Sequence, residues 1–206
     1  MVLHGRNEAK LKQIAEETNS FFVPGDVTRP DLAGKLLETA NRQLGGCDIL
    51  VNNAGVIEAG KIEEIDIDKV CEMVRVNVEA AYRMAYTFLK YFKEKNKGHV
   101  INLSSILGTK VRETAGAYAG TKFAIEALSE ALRMELAGTG VKITCIEPGL
   151  VKTDLHRSWQ PHPMESMNIP NPLTPEDIAE TILYVLKQKP HVRIPKLLIM
   201  PGEHAL

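Results

Sequence analysis

A tyrosine followed four residues later by a lysine occurs three times in this chain: Tyr86 and Lys90, Tyr91 and Lys95, Tyr118 and Lys122. On a helix the two side chains of such a pair share a face, and a phenol beside an ammonium can do chemistry. An unperturbed phenol titrates near about 10, too high to act as a base at neutral pH. A close opposite charge lowers such a value by about 1–3 units. The pair could then move a proton to or from an oxygen while a hydride moves at the adjoining carbon, a contribution of roughly 10²–10⁴-fold. Spacing alone selects none of the three, because any lysine-rich helix generates it. Company separates them. Ser105 lies thirteen residues before Tyr118, and Ala117, Ala119 and Gly120 leave that phenol unobstructed. The other two pairs lie near the end of a long helical stretch with no strand end beside them, and are expected to be structural. Tyr118 is therefore assigned as the acid/base, Lys122 as the group that adjusts its pKa, and Ser105 as the hydroxyl that binds the same substrate oxygen.

The elements that must position these residues follow from the apolar pattern. Short apolar runs at 2–5, 20–27, 48–53, 99–105, 141–149 and 196–200 predict strands. Helical periodicity predicts helices over 7–18, 30–44, 66–95, 115–137 and 174–187. Thr28-Arg29-Pro30-Asp31 and Thr174-Pro175-Glu176-Asp177 each combine a capping residue, an early proline and an acid in the first turn. The strands are apolar on both faces, so the expected class is α/β, a parallel sheet covered by helices on both sides. Ligands of such sheets bind outside the carboxyl ends of the strands. Those ends hold Arg6, Asp26, Asn52 with Asn53, Ser105, and Pro148 with Gly149. Residues 154–173 carry Trp159, Met164, Met167, His156, His162 and four prolines, and are expected to form a loop over the substrate.

Composition narrows the function classes. The chain has 206 residues, enough for one domain, and a net charge of -1 offers no basic surplus for nucleic acid or an acidic membrane surface. No apolar run reaches membrane-spanning length, and the first residues lack the apolar core of a signal peptide. Cys47, Cys71 and Cys145 are odd in number and far apart, which suits reduced thiols and a cytoplasmic location. The six histidines show no metal-ligand spacing, so no metal site is expected.

Asn52-Asn53-Ala54-Gly55, Asn77 between two valines, Asn102-Leu103-Ser104-Ser105, Tyr118-Ala119-Gly120-Thr121-Lys122 and the run from Pro148 to Thr153 stand in one order and spacing. In these motifs the chain resembles the short-chain dehydrogenase/reductase family. The resemblance implies a Rossmann-like doubly wound sheet in a single dinucleotide-binding and catalytic domain over 1–206. It implies that Asp26 and Val27 hold the adenine, and that Asn52, Ala54 and Gly55 form the turn beside the adenine-side ribose. Asn77 would hold a water of the proton relay. Lys122 would also bind the nicotinamide ribose, next to Tyr118, with Pro148, Gly149 and Thr153 at the carboxamide. Family members that use NAD carry an acid where this chain reads Gly5-Arg6-Asn7. Arg6 suits a 2′-phosphate instead, so NADP is favoured over NAD.

The chain departs from the family at its start. No counterpart of the family's first strand and Gly-rich turn precedes Val2, a difference of roughly 30–40 residues, about one strand–helix unit. Unpaired edges beside 2–5 and 48–53 and a weaker pyrophosphate site are the expected consequences. The expected activity is NADP-dependent interconversion of a secondary alcohol, of the small hydroxy-acid or serine-like kind, and a ketone. The expected assembly is a homotetramer or homodimer built through the two long helices. The alternative is a non-catalytic subunit acting as an interaction module.

Overall fold

The computed structural model describes residues 1–156, 159 and 161–204. Six parallel strands alternate with helices: β1 Val2–Gly5, α1 Glu8–Thr18, β2 Phe21–Pro24, α2 Leu32–Leu44, β3 Ile49–Asn52, α3 Ile67–Val74, α4 Ala81–Lys95, β4 Gly98–Leu103, α5 Gly116–Glu135, β5 Val141–Pro148, α6 Pro163–Ser166, α7 Pro175–Leu186 and β6 Lys196–Ile199. The strands fall into a pair, β1 with β2, and a four-stranded sheet in the order β3-β4-β5-β6. Packing on both faces makes the layering Rossmann-like. Val100 of β4 joins Leu36 of α2 and Phe88 and Phe92 of α4, while its neighbour Ile101 joins Ile146 and Val185 of α7. Adjacent strand residues point to opposite faces, so both faces of β4 are covered. Val2, Val23 and Leu50 pack against the α4 side, which ties the two-stranded pair and the larger sheet to one core. The outer edges of β1 and β3 meet no further strand among the described residues, and Ile49 and Val51 of β3 stay 45% and 44% exposed.

Local chemistry sets the helix ends. The Asn7 side chain accepts from Lys10 N at 3.0 Å and starts α1, and Asn19, left-handed at φ 50°, ends it. Thr174 and Asp177 form a reciprocal capping box at the start of α7. The helix expected from residue 30 starts later, at Leu32. Asp26 Oδ1 accepts from both Thr28 N and Thr28 Oγ1 at 2.8 Å, and this turn uses up the capping threonine. The long helix expected over 66–95 is interrupted: a wide π-helical turn, Arg75–Ala80, joins α3 to α4. Three Tyr/Lys pairs lie on α4 and α5, and one is plainly structural. Tyr91 Oη donates to Asn41 Oδ1 at 2.9 Å and binds α4 to α2, with Lys95 5.0 Å over its ring.

Candidate active site

Strand β4 ends at Leu103, and Ser105 caps a single 3₁₀ turn, Ile106–Gly108. Its Oγ accepts from Leu107 N at 3.1 Å. The hydroxyl proton is left to donate elsewhere. Helix α5 then carries Tyr118 and Lys122 on its buried face, 7% exposed each. Lys122 Nζ donates to Leu103 O at 2.9 Å and lies 5.7 Å from the centre of the Tyr118 ring. The Leu103 carbonyl thus fixes the ammonium between the end of β4 and the phenol.

Burial pushes the Tyr118 phenol up to about 12, with contact to the Ser105 hydroxyl pulling it partly back. Burial also lowers Lys122 to about 8, against the attraction of Cys145 and Glu126. The lowering of the phenol by Lys122, argued above from spacing, is not the dominant effect in the protein alone. Burial dominates, and the Ser105 contact is what opposes it. The Tyr118 phenol is consequently protonated at neutral pH.

Asn77 sits inside the π-helical turn, 2% exposed. Its Oδ1 accepts from Val56 N at 2.9 Å, and its Nδ2 donates to Val56 O at 2.8 Å and Thr121 Oγ1 at 3.1 Å. The side chain clamps the segment after the Asn52–Gly55 turn onto α5. A side chain at Gly55 would begin 3.5 Å from Asn77 Oδ1 and 3.8 Å from Lys122 Nζ, so the turn, the π-helical kink and the lysine meet at one point. Asn52 points elsewhere: its Nδ2 donates to Ala81 O at 3.1 Å and Asn102 Oδ1 at 3.3 Å, joining β3 to α4 and β4.

One cavity of about 1300 Å³ opens at the carboxyl ends of β3, β4 and β5. It brings together Gly55, Ser105, Tyr118, Lys122, Pro148, Gly149 and Thr153, residues drawn from four stretches of sequence. Asn52, Ala54 and Asn77 are not part of its lining, and Ala54 is exposed. Arg6, Asp26 and Val27 lie outside it, at the carboxyl ends of β1 and β2. There the Thr28 hydrogen bonds, ahead of any effect of Arg6, hold the Asp26 carboxyl below its usual range. Arg6 is exposed and forms no ion pair among the described residues. The 154–173 segment runs along the cavity with two short helical turns, Asp154–His156 and Pro163–Ser166. Ile169 anchors it, fully buried, as does a bridge between Val151 and Leu173.

Two sets of residues were not singled out from the sequence. Behind Lys122, Lys196 of β6 lies 3.0 Å from Glu126 Oε2 and 2.9 Å from Glu147 Oε1. The contact to Glu147 is a close charge pair, not an aligned hydrogen bond, since that oxygen has no hydrogen-bond partner. Glu126 follows Lys122 by one helical turn and Glu147 precedes Pro148; both spacings were visible, but their joining by a residue of the last strand was not. The second set is Lys110, Arg112 and His204, all lining the cavity. His204 follows the last strand and carries no motif to mark it.

The model of the family described as short chain dehydrogenase matches residues 1–163. The chain belongs to the short-chain dehydrogenase/reductase family. It is 35% identical over 204 residues to an uncharacterized oxidoreductase of Staphylococcus aureus (strain USA300), covering 98% of this chain and 86% of that protein. A solved serine dehydrogenase in its closed form, complexed with NADP+, is 28% identical with a TM-score of 0.92, covering 100% of this chain and 86% of the other. The 3-ketoacyl-(acyl-carrier-protein) reductase of Brucella melitensis, complexed with NADH, is 25% identical with a TM-score of 0.87, over 98% and 86% of the two chains. Like the family as a whole, this short-chain dehydrogenase/reductase is an oxidoreductase by kinship. No helix among its described residues is long and apolar enough to cross a membrane.

Proposed function

We propose that the chain is an NADP-dependent oxidoreductase that interconverts a secondary alcohol and a ketone, with Tyr118 handling the proton. The observation that carries this is the meeting of a protonated phenol, a hydroxyl with a free proton and a fixed ammonium on the wall of one cavity. The cavity fits the reactive half of a nicotinamide dinucleotide. Pro148, Gly149 and Thr153 would hold its carboxamide and Lys122 its ribose, while Arg6, unpaired at the end of β1, would meet a 2′-phosphate. When bound, the cofactor supplies or accepts the hydride. The protein does the rest.

Ser105 and Tyr118 donate hydrogen bonds to the substrate carbonyl oxygen and orient it. As negative charge develops there, Tyr118 gives up its proton, and the alcohol forms. The phenolate left in a buried site is costly unless an ammonium faces it, and Lys122 is the ammonium within reach. Alcohol oxidation runs these steps backwards. The 154–173 segment serves as the substrate cover, closing the cavity against water. Assembly as a homotetramer or homodimer through α4 and α5 belongs to the same proposal, supported by Tyr86, Phe123 and Met134, which are 46%, 42% and 58% exposed on those helices.

The pH profile tests the division of labour. With Lys122 at about 8 and Tyr118 at about 12, ketone reduction needs both groups protonated. kcat/KM for reduction is expected to be level below about pH 8. Above that it falls towards tenfold per unit as Lys122 loses its charge. A profile that stays level to pH 10 would remove Lys122 from the proton transfer.

A further inference from the structure

Lys122 is a buried ammonium with little beside it to hold its charge. Its side chain donates to the neutral Leu103 carbonyl at 2.9 Å, and among the described residues no carboxylate lies within ion-pair distance. A buried cation without a counter-charge sheds its proton readily. The groups that face it narrow what can oppose that loss. Tyr118, on the same helix, is a neutral phenol at working pH. Cys145 of β5 is 1% exposed and pushed up to about 12 by burial, so it is a neutral thiol there. Cys145 and Glu126 are the two groups whose negative charge would favour the ammonium. Of the two, only Glu126 carries one.

The surroundings of Glu126 place that charge directly behind the active site. It follows Lys122 by one turn on the buried face of α5. It packs there because Gly108 has no side chain: a Cβ at that position would begin 2.5 Å from Ser104 Oγ, 3.0 Å from Glu126 Cγ and 3.3 Å from Glu126 Oε1. The carboxylate thus lies against the 3₁₀ turn that Ser105 caps. Its Oε2 meets Lys196 at 3.0 Å, while Oε1 is buried and has no hydrogen-bond partner among the described residues. Lys196 is shared with Glu147, 2.9 Å away. Two carboxylates on one ammonium leave one negative charge over, and Lys122 is the buried cation that balances it. Glu147 stands on β5, where the charges acting on it are those of Lys196 and Glu126. Glu126 is the member of the cluster that acts on Lys122.

From this arrangement we infer that Glu126 is a positioning residue of the reaction: its carboxylate, held by Lys196 against the Ser105 turn, keeps Lys122 charged to face the phenolate left when Tyr118 gives up its proton. The inference rests on the proton-transfer reading proposed above. It adds a residue that touches neither substrate nor cofactor, and it gives the buried cluster of Glu126, Glu147 and Lys196 a part in catalysis as well as in stability.

The test reads the charge of Lys122 itself. In protein grown with lysine labelled with carbon-13 at Cε, the Lys122 resonance moves as the ammonium loses its proton, and its disappearance in Lys122→Arg assigns it. The wild-type midpoint is expected at about 8. In Glu126→Gln it falls by about one pH unit, the low end of the effect of a close opposite charge. Lys196 keeps Glu147 as its partner, so the amide strands no cation. Glu126→Leu, apolar and similar in volume, gives the same fall and separates the loss of charge from any effect of the amide. Glu126→Asp keeps the charge and stays nearer the wild type than Glu126→Gln. Glu147→Gln also loosens Lys196, yet moves the midpoint less than half as far. The pH at which kcat/KM for NADPH-dependent reduction of short methyl ketones begins to fall moves down with the midpoint in Glu126→Gln. Loss of packing alone would lower the whole profile and leave its break in place. An unmoved midpoint in Glu126→Gln and Glu126→Leu, or an equal fall in Glu147→Gln, would overturn the inference while leaving the Tyr118 assignment standing. A moved midpoint in a chain that reduces no ketone would contradict the oxidoreductase reading, and the catalytic part of Glu126 would fall with it.

Discussion

Tyr118→Phe lowers kcat/KM for ketone reduction by at least roughly 10²–10⁴-fold and leaves the fold and NADPH binding largely intact. The substitution removes one oxygen from a side chain that is 7% exposed and keeps its ring, so packing is preserved. What is lost is the only phenolic proton at the cavity wall beside Ser105. No neighbour can replace it. The Lys122 ammonium is tied to the Leu103 carbonyl at 2.9 Å, and the Ser105 hydroxyl is far too weak an acid to protonate an alkoxide unaided. Steady-state kinetics with a nucleotide-binding control checks this. Turnover within a few-fold of wild type would sink the role given to Tyr118.

The second large effect is on stability. Lys196→Met is expected to destabilise the fold by about 2–4 kcal/mol at neutral pH, below the range for a fully buried pair because the lysine is partly in water. Its side chain is 47% exposed, whereas those of Glu126 and Glu147 are 9% and 4% exposed. Without the ammonium, two buried carboxylates face each other uncompensated. Burial already raises the Glu147 pKa, with the Glu126 carboxylate adding to it and Lys196 opposing. Removing Lys196 raises it further. A carboxyl whose folded pKa lies above its unfolded value contributes its stability in full below the unfolded value, near about 4.3, and loses it as pH rises through the folded value. The deficit of the variant should thus be small near pH 4.5 and grow toward pH 7.5. Thermal melts at those two pH values decide it, and an equal deficit at both would show that the charges are not the cause.

The sequence carried the chemistry further than the architecture. Tyr118 and Lys122 could be set apart from the other two pairs because a strand end and small flanking residues accompany only them, and the structure places them with Ser105 on one cavity, while Tyr91 is tied to Asn41 at 2.9 Å. Asn7 and Thr174 announced the helices that they cap. The start of α2 misled because the side chain of Asp26, two residues earlier, captured the capping threonine. The π-helical turn at Asn77 left no mark on the apolar period: its extra width is set by Val56 and Thr121, which come from distant parts of the chain. Glu126, Glu147 and Lys196 read separately as solvated charges. Only the register of β5 with β6 places Lys196 beside Cys145 and brings the three together. His204 was illegible for the same reason, since a residue beyond the last strand has no periodic context to interpret.

The most direct single measurement is a nucleotide-fluorescence titration of this chain with NADPH and NADH, run beside Arg6→Ala. Saturable binding with NADPH the tighter ligand, and a loss in Arg6→Ala that falls mainly on NADPH, is the expected result. Failure to bind either nucleotide would contradict the assignment of this cavity to nicotinamide-dependent hydride transfer.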